Sequence, residues 1–217
     1  RIGIIVSNSV IYQWQYSAIN SVLRSESLSI CFIANMGEKS VQEQGKNNSV
    51  IRRLHEKIDR IISHDNSGLL SAVSISKIAG KIPQIYLAPV IKQDLMELES
   101  KSCDQISLLN PDIILNFSSL PFNINLPGVP RLGICEFKAG NHNDGYAEVV
   151  KQRPATLSAL LFRTNTPSLN SFAETWFGQT YAYLIHINKV RACKRTALLL
   201  ERFIAGLSEL GEGYLET

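Results

Sequence analysis

The chain has 217 residues, of which 45% are hydrophobic and 19% are charged, and its formal net charge at pH 7 is +3. These values are typical of a globular domain, so they exclude an intrinsically disordered chain, and the small net charge gives no indication of a nucleic-acid partner. No apolar run approaches the roughly 20 residues of a membrane-spanning helix, and no signal-peptide pattern opens the sequence, so we expect a cytoplasmic protein without membrane contact.

Short apolar runs alternate with helical patterns from the first residues onward. IGIIVS at 2–7 and LSICFIAN at 28–35 are typical of strands that are buried on both faces of a parallel sheet. Between them, the polar run at 7–9 predicts a cap for a helix over about 10–24. The apolar stripe of this helix contains Val10, Trp14, Ile19 and Val22.

A second helical pattern, VIRRLHEKIDRII, begins after Asn48 and Ser49. One face of it carries Ile51, Leu54, Ile58 and Ile61. Two further strands are then predicted at 84–90 and 112–118, with a helix from Asp94 to Leu109 between them.

The last part of the chain continues the alternation. RLGICEF at 131–137 and SALLFRT at 158–164 predict a fifth and a sixth strand, and a long helix follows over about 181–207. The apolar stripe of this helix is Ile187, Val190, Cys193, Ala197, Leu200, Ile204 and Leu207. Its other faces are basic, which is typical of a solvated helix and is also compatible with contact to phosphate. The basic residues are Lys189, Arg191, Lys194, Arg195 and Arg202.

This order of elements predicts one α/β domain over residues 1–217. We expect a Rossmann-like three-layer sandwich with a mostly parallel central sheet, helices on both faces and right-handed crossovers, with the long C-terminal helix packed on one face. The sequence has no G-x-G-x-x-G, P-loop or G-x-S-x-G motif, which counts against dinucleotide, P-loop and α/β-hydrolase chemistry. Four cysteines lie far apart and no His/Cys cluster has zinc spacing, so we expect buried free thiols and no metal site.

In an open sheet of this class, ligands bind at the carboxyl ends of the central strands. Glu136 and Lys138 stand two residues apart at one such end and therefore point to the same side of an extended chain. Three interpretations fit this pair. It forms an exposed ion pair that contributes about 0–1 kcal/mol, or an active site in which Glu136 is the base and Lys138 stabilises an oxyanion, or part of a ligand site.

Four motifs, in order, resemble the folate-dependent formyltransferase family: NPDIILNF, LGICEFKAGN, GYAEVVKQRPATLSALLFR and TPSLN. The family includes the N-terminal domain of methionyl-tRNA formyltransferase and glycinamide ribonucleotide formyltransferase. A bacterial subfamily of formyltransferase-like domains, which often head longer proteins, has Phe-His-His-Gly-Asp and then Gly-Phe-Trp-Glu-Val where this chain has FKAGN and GYAEV. The resemblance covers most of the chain. It implies a formyltransferase type of sheet, the N-terminal part of a longer protein, and 10-formyltetrahydrofolate as the cofactor of an active member.

The resemblance also implies three catalytic positions: an Asn and a His two residues apart on a strand, and an Asp in a later loop. In the family, the amide and the imidazole polarise the formyl oxygen, and the carboxylate organises proton removal from the attacking amine. The matching residues are Glu136, Lys138 and Asn170, so all three positions differ. An ionised Glu136 places negative charge near the oxyanion, and Asn170 cannot accept a proton. Losing positioned acid–base help costs roughly 10²–10⁴-fold in rate.

Six further residues near these positions are candidates for ligand binding. Each also has a purely structural interpretation: a side chain that satisfies backbone groups at a loop entrance, a solvated loop residue, or an acid that a first helical turn favours. The candidates are Asn116, Gly140, Asn141, His142, Asp144 and Glu148.

We therefore expect a degenerate formyltransferase-like domain that acts as a ligand-binding or scaffolding module. Its expected partners are a small-molecule ligand and other domains of a longer chain. One alternative is an active transferase of formyl groups onto an amine, for example an amino sugar, with a redesigned Glu136/Lys138 site. A further alternative is a sugar-nucleotide-dependent transferase, although no acidic motif for its metal ion stands out at a strand end.

Overall fold

The structure is a computed structural model and describes residues 1–37, 57–59, 68–80, 82–92, 95–118, 121, 130–139, 149, 152–164, 169–181 and 184–216. In chain order the strands are β1 (Ile2–Val6), β2 (Val10–Tyr12), β3 (Ile30–Asn35), β4 (Ala72–Ser74), β5 (Gln84–Tyr86), β6 (Pro89–Lys92), β7 (Leu95–Leu98), β8 (Ile113–Asn116), β9 (Gly133–Ala139), β10 (Ala155–Arg163) and β11 (Phe172–Gln179). The helices are α1 (Gln13–Arg24), α2 (Ser76–Ala79), α3 (Ser100–Leu109) and α4 (Ile185–Leu210), and a 3₁₀ turn follows at Gly211–Leu215.

The main sheet contains, within the described residues, seven strands in the order β11–β10–β9–β8–β1–β3–β5. The central strand β1 pairs in parallel with β3 and β8, and the β3–β5 and β8–β9 pairs are also parallel. Antiparallel pairing is confined to one side of this sheet, where β9 pairs with β10 and β10 with β11. The prediction of a mostly parallel sheet is confirmed.

Helices cover both faces of the sheet. Ile4 and Leu115 point into the larger core, together with the buried faces of α1 and α4. Their chain neighbours Ile5 and Ile114 point into a smaller core beneath α3. This alternation is what strands buried on both faces require, and it confirms the three-layer prediction. Within the described part of the chain, no helix combines the length and apolar composition that crossing a membrane requires.

The first helix starts later than the sequence predicts. Residues Val10–Tyr12 form strand β2, which pairs antiparallel with β4, and α1 begins at Gln13 with Tyr12 rather than the polar run at 7–9 as its N-cap. Val10 is 47% exposed, so its predicted place in the apolar stripe is wrong. The other predicted members of the stripe are buried, namely Trp14, Ile19 and Val22.

A hairpin replaces part of two predicted elements in the middle of the chain. The strand predicted at 84–90 ends at Tyr86, and the helix predicted from Asp94 begins at Ser100. Strands β6 and β7 lie between them and pair antiparallel with each other, apart from the main sheet. The apolar residues of LMEL suit a strand as well as a helix, so periodicity alone does not separate the two. Asp94 lies outside the described residues.

The helix predicted after Ser49 is described at residues 57–59, where the backbone is helical. Ile58 is 47% exposed, so its predicted place on the apolar face is wrong, whereas the neighbouring Asp59 is 1% exposed. Asp59 is buried because its side chain accepts a hydrogen bond from the first turn of α4. The remaining predicted members of this face lie outside the described residues, namely Ile51, Leu54 and Ile61.

The C-terminal elements also differ from the sequence-based boundaries. Strand β10 begins at Ala155, and β11 was not predicted. The helix predicted over 181–207 is α4, which starts at Ile185 and ends at Leu210. Four members of its predicted stripe are buried, namely Cys193, Leu200, Ile204 and Leu207, and Ile187, Val190 and Ala197 are partly buried. The predicted packing of this helix on one face of the sheet is confirmed.

One hydrogen bond caps α4 and two fix it on the sheet. The Asp59 Oδ2 atom accepts a hydrogen bond from the backbone N–H of His186 in the first turn, which caps a helix end that would otherwise lack a partner. The Ser158 hydroxyl donates to the carbonyl of Ala192 at 3.1 Å. The Thr196 hydroxyl donates at 3.1 Å to the carbonyl of Lys138, on the strand that carries the candidate site.

Strand β9 opens on a residue that has to be glycine. Gly133 has φ +151°, a conformation that side chains strongly disfavour. A Cβ atom there would lie 2.3 Å from the backbone oxygen of Arg163 on β10, and a backbone atom in a paired strand cannot move aside. The close β9–β10 pairing at this end therefore depends on glycine.

Candidate functional site

The carboxyl ends of β8 and β9 bring two of the predicted residues together. Asn116 and Glu136 are direct neighbours in the parallel β8–β9 register. Both are buried, with 1% and 5% of their surface exposed. Because the residues on either side of Glu136 lie in the larger core, Glu136 points to the opposite, α3 face of the sheet.

A short chain of hydrogen bonds orients the Asn116 side chain. Its Nδ2 atom donates to Glu136 Oε1 at 3.3 Å. Its Oδ1 atom accepts from the backbone N–H of Ser118 at 3.0 Å and from the Ser118 hydroxyl at 2.6 Å. The NH2 group of the Asn116 amide therefore faces the Glu136 carboxylate, and its oxygen accepts hydrogen bonds from Ser118, just after β8.

Glu136 forms its ion pair with Arg163 rather than with Lys138. The Arg163 Nη2 atom lies 2.5 Å from Glu136 Oε1, and 7% of the Glu136 side chain is exposed against 31% for Arg163. Arg163 stands on β10 opposite Ile134, so its side chain reaches two residues along β9 to meet the carboxylate. Lys138 is exposed. The expectation of an exposed Glu136–Lys138 ion pair is therefore wrong.

This arrangement holds charge in a fixed place. A guanidinium and an amide that both donate hydrogen bonds to a buried carboxylate hold its oxygen atoms in one orientation. Lys138 places a solvated cation at the edge of the polar cluster. These four residues, Asn116, Ser118, Glu136 and Arg163, form one polar cluster at the carboxyl ends of β8 and β9.

The thiols are consistent with the sequence-based expectation. Cys103, Cys135 and Cys193 are buried, Cys31 is half-buried, and all four are free. Burial raises the pKa of Cys135 well above its ordinary value, and the neighbouring charge of Glu136 raises this pKa further. A protonated, buried thiol is unreactive, so Cys135 contributes packing rather than chemistry beside the polar cluster.

Solved structures identify the fold in which this cluster is built. Glycinamide ribonucleotide transformylase 1 from Symbiobacterium toebii superposes with a TM-score of 0.51 and 10% sequence identity, covering 98% of this chain and 88% of that chain. The chain has a formyltransferase fold. Phosphoribosylglycinamide formyltransferase from Streptococcus pneumoniae TIGR4 is also similar, with a TM-score of 0.47 and 10% identity over 95% of this chain and 98% of that chain. No protein-family model and no curated protein matches the sequence. The resemblance to formyltransferases is thus confirmed for the fold.

Within this formyltransferase fold, Asn170 lies away from Glu136 and Lys138, with which the sequence resemblance grouped it. Asn170 lies two residues before β11. In the register of β9, β10 and β11, Phe172 of β11 and Cys135 of β9 lie on either side of the same β10 residue, so the beginning of β11 is level with the beginning of β9. Lys138 lies in line with Thr175 instead. With about 3.3 Å per residue along a strand and about 4.8 Å between strands, the two Cα atoms are roughly 15–20 Å apart. The topology does not support Asn170 as a partner of Lys138.

Five further candidates follow β9 in the sequence. Gly140, Asn141, His142, Asp144 and Glu148 lie outside the described residues, so a ligand-binding role for them stays a prediction. Among the residues that are described, no group of three or more His, Cys, Asp and Glu side chains could hold a metal ion.

Sequence reasoning missed Arg163 and Ser118. The signal for Arg163 was present, because it is a lone charge in the apolar strand SALLFRT and a buried strand needs a partner for such a charge. The partner itself depends on the β9–β10 register, which the sequence does not state. Ser118 follows Asn116 by two residues, the spacing at which an Asn side chain turns back on its own backbone.

Proposed function

We propose that this chain is a formyltransferase-fold module that has lost formyl transfer and binds a small polar ligand at the carboxyl ends of β8 and β9. The observation that carries the proposal is the ion pair, at 2.5 Å, between the buried Glu136 and the partly exposed Arg163. It occupies the position that resembles the family's catalytic amide.

Formyl transfer needs donors aimed at the oxygen that becomes negative in the transition state. The Glu136 carboxylate offers acceptors and a negative charge there. Arg163 has suitable donors, but at least one of its nitrogen atoms is already paired with Glu136. Lys138 is exposed to water, where a single cation stabilises an oxyanion weakly because the dielectric constant is high.

The same geometry argues against the redesigned active site. A base has to reach the attacking amine and must not be held by a stronger partner. Glu136 accepts hydrogen bonds from both Arg163 and Asn116, so it would have to leave its ion pair with Arg163 before it could take a proton from the amine. The polar cluster is suited to holding a ligand that matches its fixed donors and acceptors.

The test is an assay for formyl transfer and deformylation with 10-formyltetrahydrofolate, alongside a titration with the same folate followed by tryptophan fluorescence. We expect no turnover by the natural chain. The informative variant is Glu136→Asn with Lys138→His, which restores the two family residues that the fold keeps adjacent. Its matched control is Glu26→Asn with Lys101→His, which makes the same two changes at exposed positions.

The outcomes separate the possibilities. Turnover by the natural chain would refute the proposal and favour an active transferase onto an amine. Saturable folate binding without turnover would identify the ligand as a folate. Turnover that appears in the restored variant, and not in its control, would show that the loss of chemistry lies at these two positions.

A further inference from the structure

A pair of arginines lies at the other face of the sheet, against the end of β11. Arg191 and Arg195 are one helical turn apart on α4, so their side chains are neighbours. The Arg195 guanidinium lies directly over Gly178 of β11, where a Cβ atom would come within 1.8 Å of its central carbon. Glycine at 178 therefore makes the space that this guanidinium occupies.

Arg191 is held in place by Tyr181. Its Nη1 atom donates a hydrogen bond to the Tyr181 hydroxyl at 2.7 Å. Its guanidinium carbon also lies 4.4 Å from the centre of the Tyr181 ring, a cation–π distance. The side chain is thus positioned before any ligand arrives.

Within the described part of the chain, no carboxylate balances the charge of these two arginines. Among the described residues, no carboxylate forms an ion pair with either of them, whereas Arg202, farther along α4, pairs with Glu174 of β11 at 2.7 Å. The Nη1 atom of Arg195 is buried and has no hydrogen-bond partner within the described structure. Burial lowers the pKa of Arg195, and the neighbouring Arg191 charge lowers this pKa further. An anion placed between the two guanidinium groups would relieve this repulsion.

An aromatic side chain stands beside the pair. Trp176 is 45% exposed and precedes Gly178 by two residues, so both face α4. Their Cα atoms are roughly 7 Å apart along the strand. This is comparable to the separation of a phosphate from its base in a nucleotide, and the indole offers a planar surface for stacking.

We propose that the α4–β11 surface, defined by Trp176, Tyr181, Arg191 and Arg195, binds a nucleoside phosphate. The phosphate lies between the two guanidinium groups and the base stacks on Trp176. A single stacking residue and one arginine pair fit one nucleotide, whereas a nucleic-acid strand is held by a succession of such contacts. The surface is separate from the polar cluster at Glu136, which lies on the α3 face.

The experiment is a titration of the whole chain with adenosine monophosphate, followed by tryptophan fluorescence and by calorimetry. Trp14 is 5% exposed, so a change in fluorescence reports mainly on Trp176. Arg191→Gln and Arg195→Gln should each weaken binding by about tenfold or more, because each removes charge-assisted hydrogen bonds to phosphate. Arg202→Gln is the matched control: it removes one positive charge from the same helix, and binding should change by less than about twofold.

Two further variants test the geometry. Gly178→Ala leaves the charge unchanged but displaces the Arg195 guanidinium, and it should weaken binding as Arg195→Gln does. Trp176→Leu, measured by calorimetry, should weaken binding of the nucleotide but not of inorganic phosphate.

The proposal is overturned if the natural chain shows no saturable binding at millimolar nucleotide, or if Arg202→Gln weakens binding as much as Arg191→Gln. Equal affinity of the Trp176→Leu and natural chains for the nucleotide overturns the stacking contact. Arg191 is exposed, so its variant is expected to fold even if Arg195→Gln does not.

Discussion

The guanidinium of Arg163 lies 2.5 Å from the carboxylate of Glu136 and joins β10 to β9. The two residues stand on different strands, and their side chains meet diagonally across the antiparallel register. One contact therefore both stabilises the sheet and removes a free acid from the candidate site.

Removing Arg163 should destabilise the protein because it leaves a buried carboxylate without its cation. We expect Arg163→Met to lower the free energy of unfolding by about 1–3 kcal/mol, at the lower end because Arg163 is partly exposed. Urea denaturation measures the loss. In the double variant with Glu136→Gln, part of the loss should be recovered. Strictly additive effects of the two substitutions would show that the pair is not coupled.

Gly133→Ala should lower the free energy of unfolding by at least about 2 kcal/mol, because it combines an unfavourable backbone conformation with a contact to a backbone oxygen. Gly213→Ala is the control, since a Cβ atom at that position meets nothing within 4 Å. Thermal unfolding of both variants measures the difference. If the two substitutions cost the same, the strain assigned to the start of β9 is absent.

Because Asp59 caps α4, we expect substitutions of Asp59 to lower the free energy of unfolding by different amounts. Asp59→Ala removes the acceptor for the N–H of His186 and should lower the free energy of unfolding by about 1–2 kcal/mol. Asp59→Asn keeps an oxygen acceptor and should cost less. Ile58→Ala, at the exposed neighbouring position, is the control and should stay within about 0.5 kcal/mol of the natural chain. A loss for Asp59→Asn as large as that for Asp59→Ala would contradict a capping role.

The buried thiols predict loss of stability in alkaline solution. Burial raises the pKa of Cys193 from 9.0 to about 12. Between these values the unfolded chain loses the proton that the native chain keeps, so the free energy of unfolding falls as the pH rises past 9, by up to about 1.4 kcal/mol per pH unit for one thiol. Below pH 9 both states are protonated and this contribution is constant. Urea denaturation at several pH values, with a reductant present, should show a smaller slope for Cys193→Ala. An unchanged slope in that variant would exclude Cys193 as the cause.

The central strands could be predicted from the sequence, and the edge strand β11 could not, for a physical reason. β1, β8 and β9 are buried on both faces, so their apolar runs stand out from their surroundings. β11 lies at the end of the sheet and exposes Trp176 and Phe177, which leaves no regular alternation to detect.

That Asn116 and Glu136 lie close together could be predicted, and their other contacts could not. That ligands of such sheets bind at the carboxyl ends of the strands follows from fold class, and this directed attention to Asn116 and Glu136. The partner of Glu136 comes from a strand that turns back antiparallel, and no local pattern indicates which residue of β10 will reach it. The distance of Asn170 from Lys138 has the same origin, because it depends on how β11 is aligned with β9.

The central position of β1 imposes an order on assembly of the sheet. β1 precedes both of its partners, β3 and β8, in the chain, and residues 113–116 of β8 follow β1 by more than a hundred residues. Until then, β1 keeps one row of backbone donors and acceptors unpaired. A nascent chain therefore carries an apolar, open strand edge while the residues between β1 and β8 are synthesised, and an open edge of this kind favours aggregation.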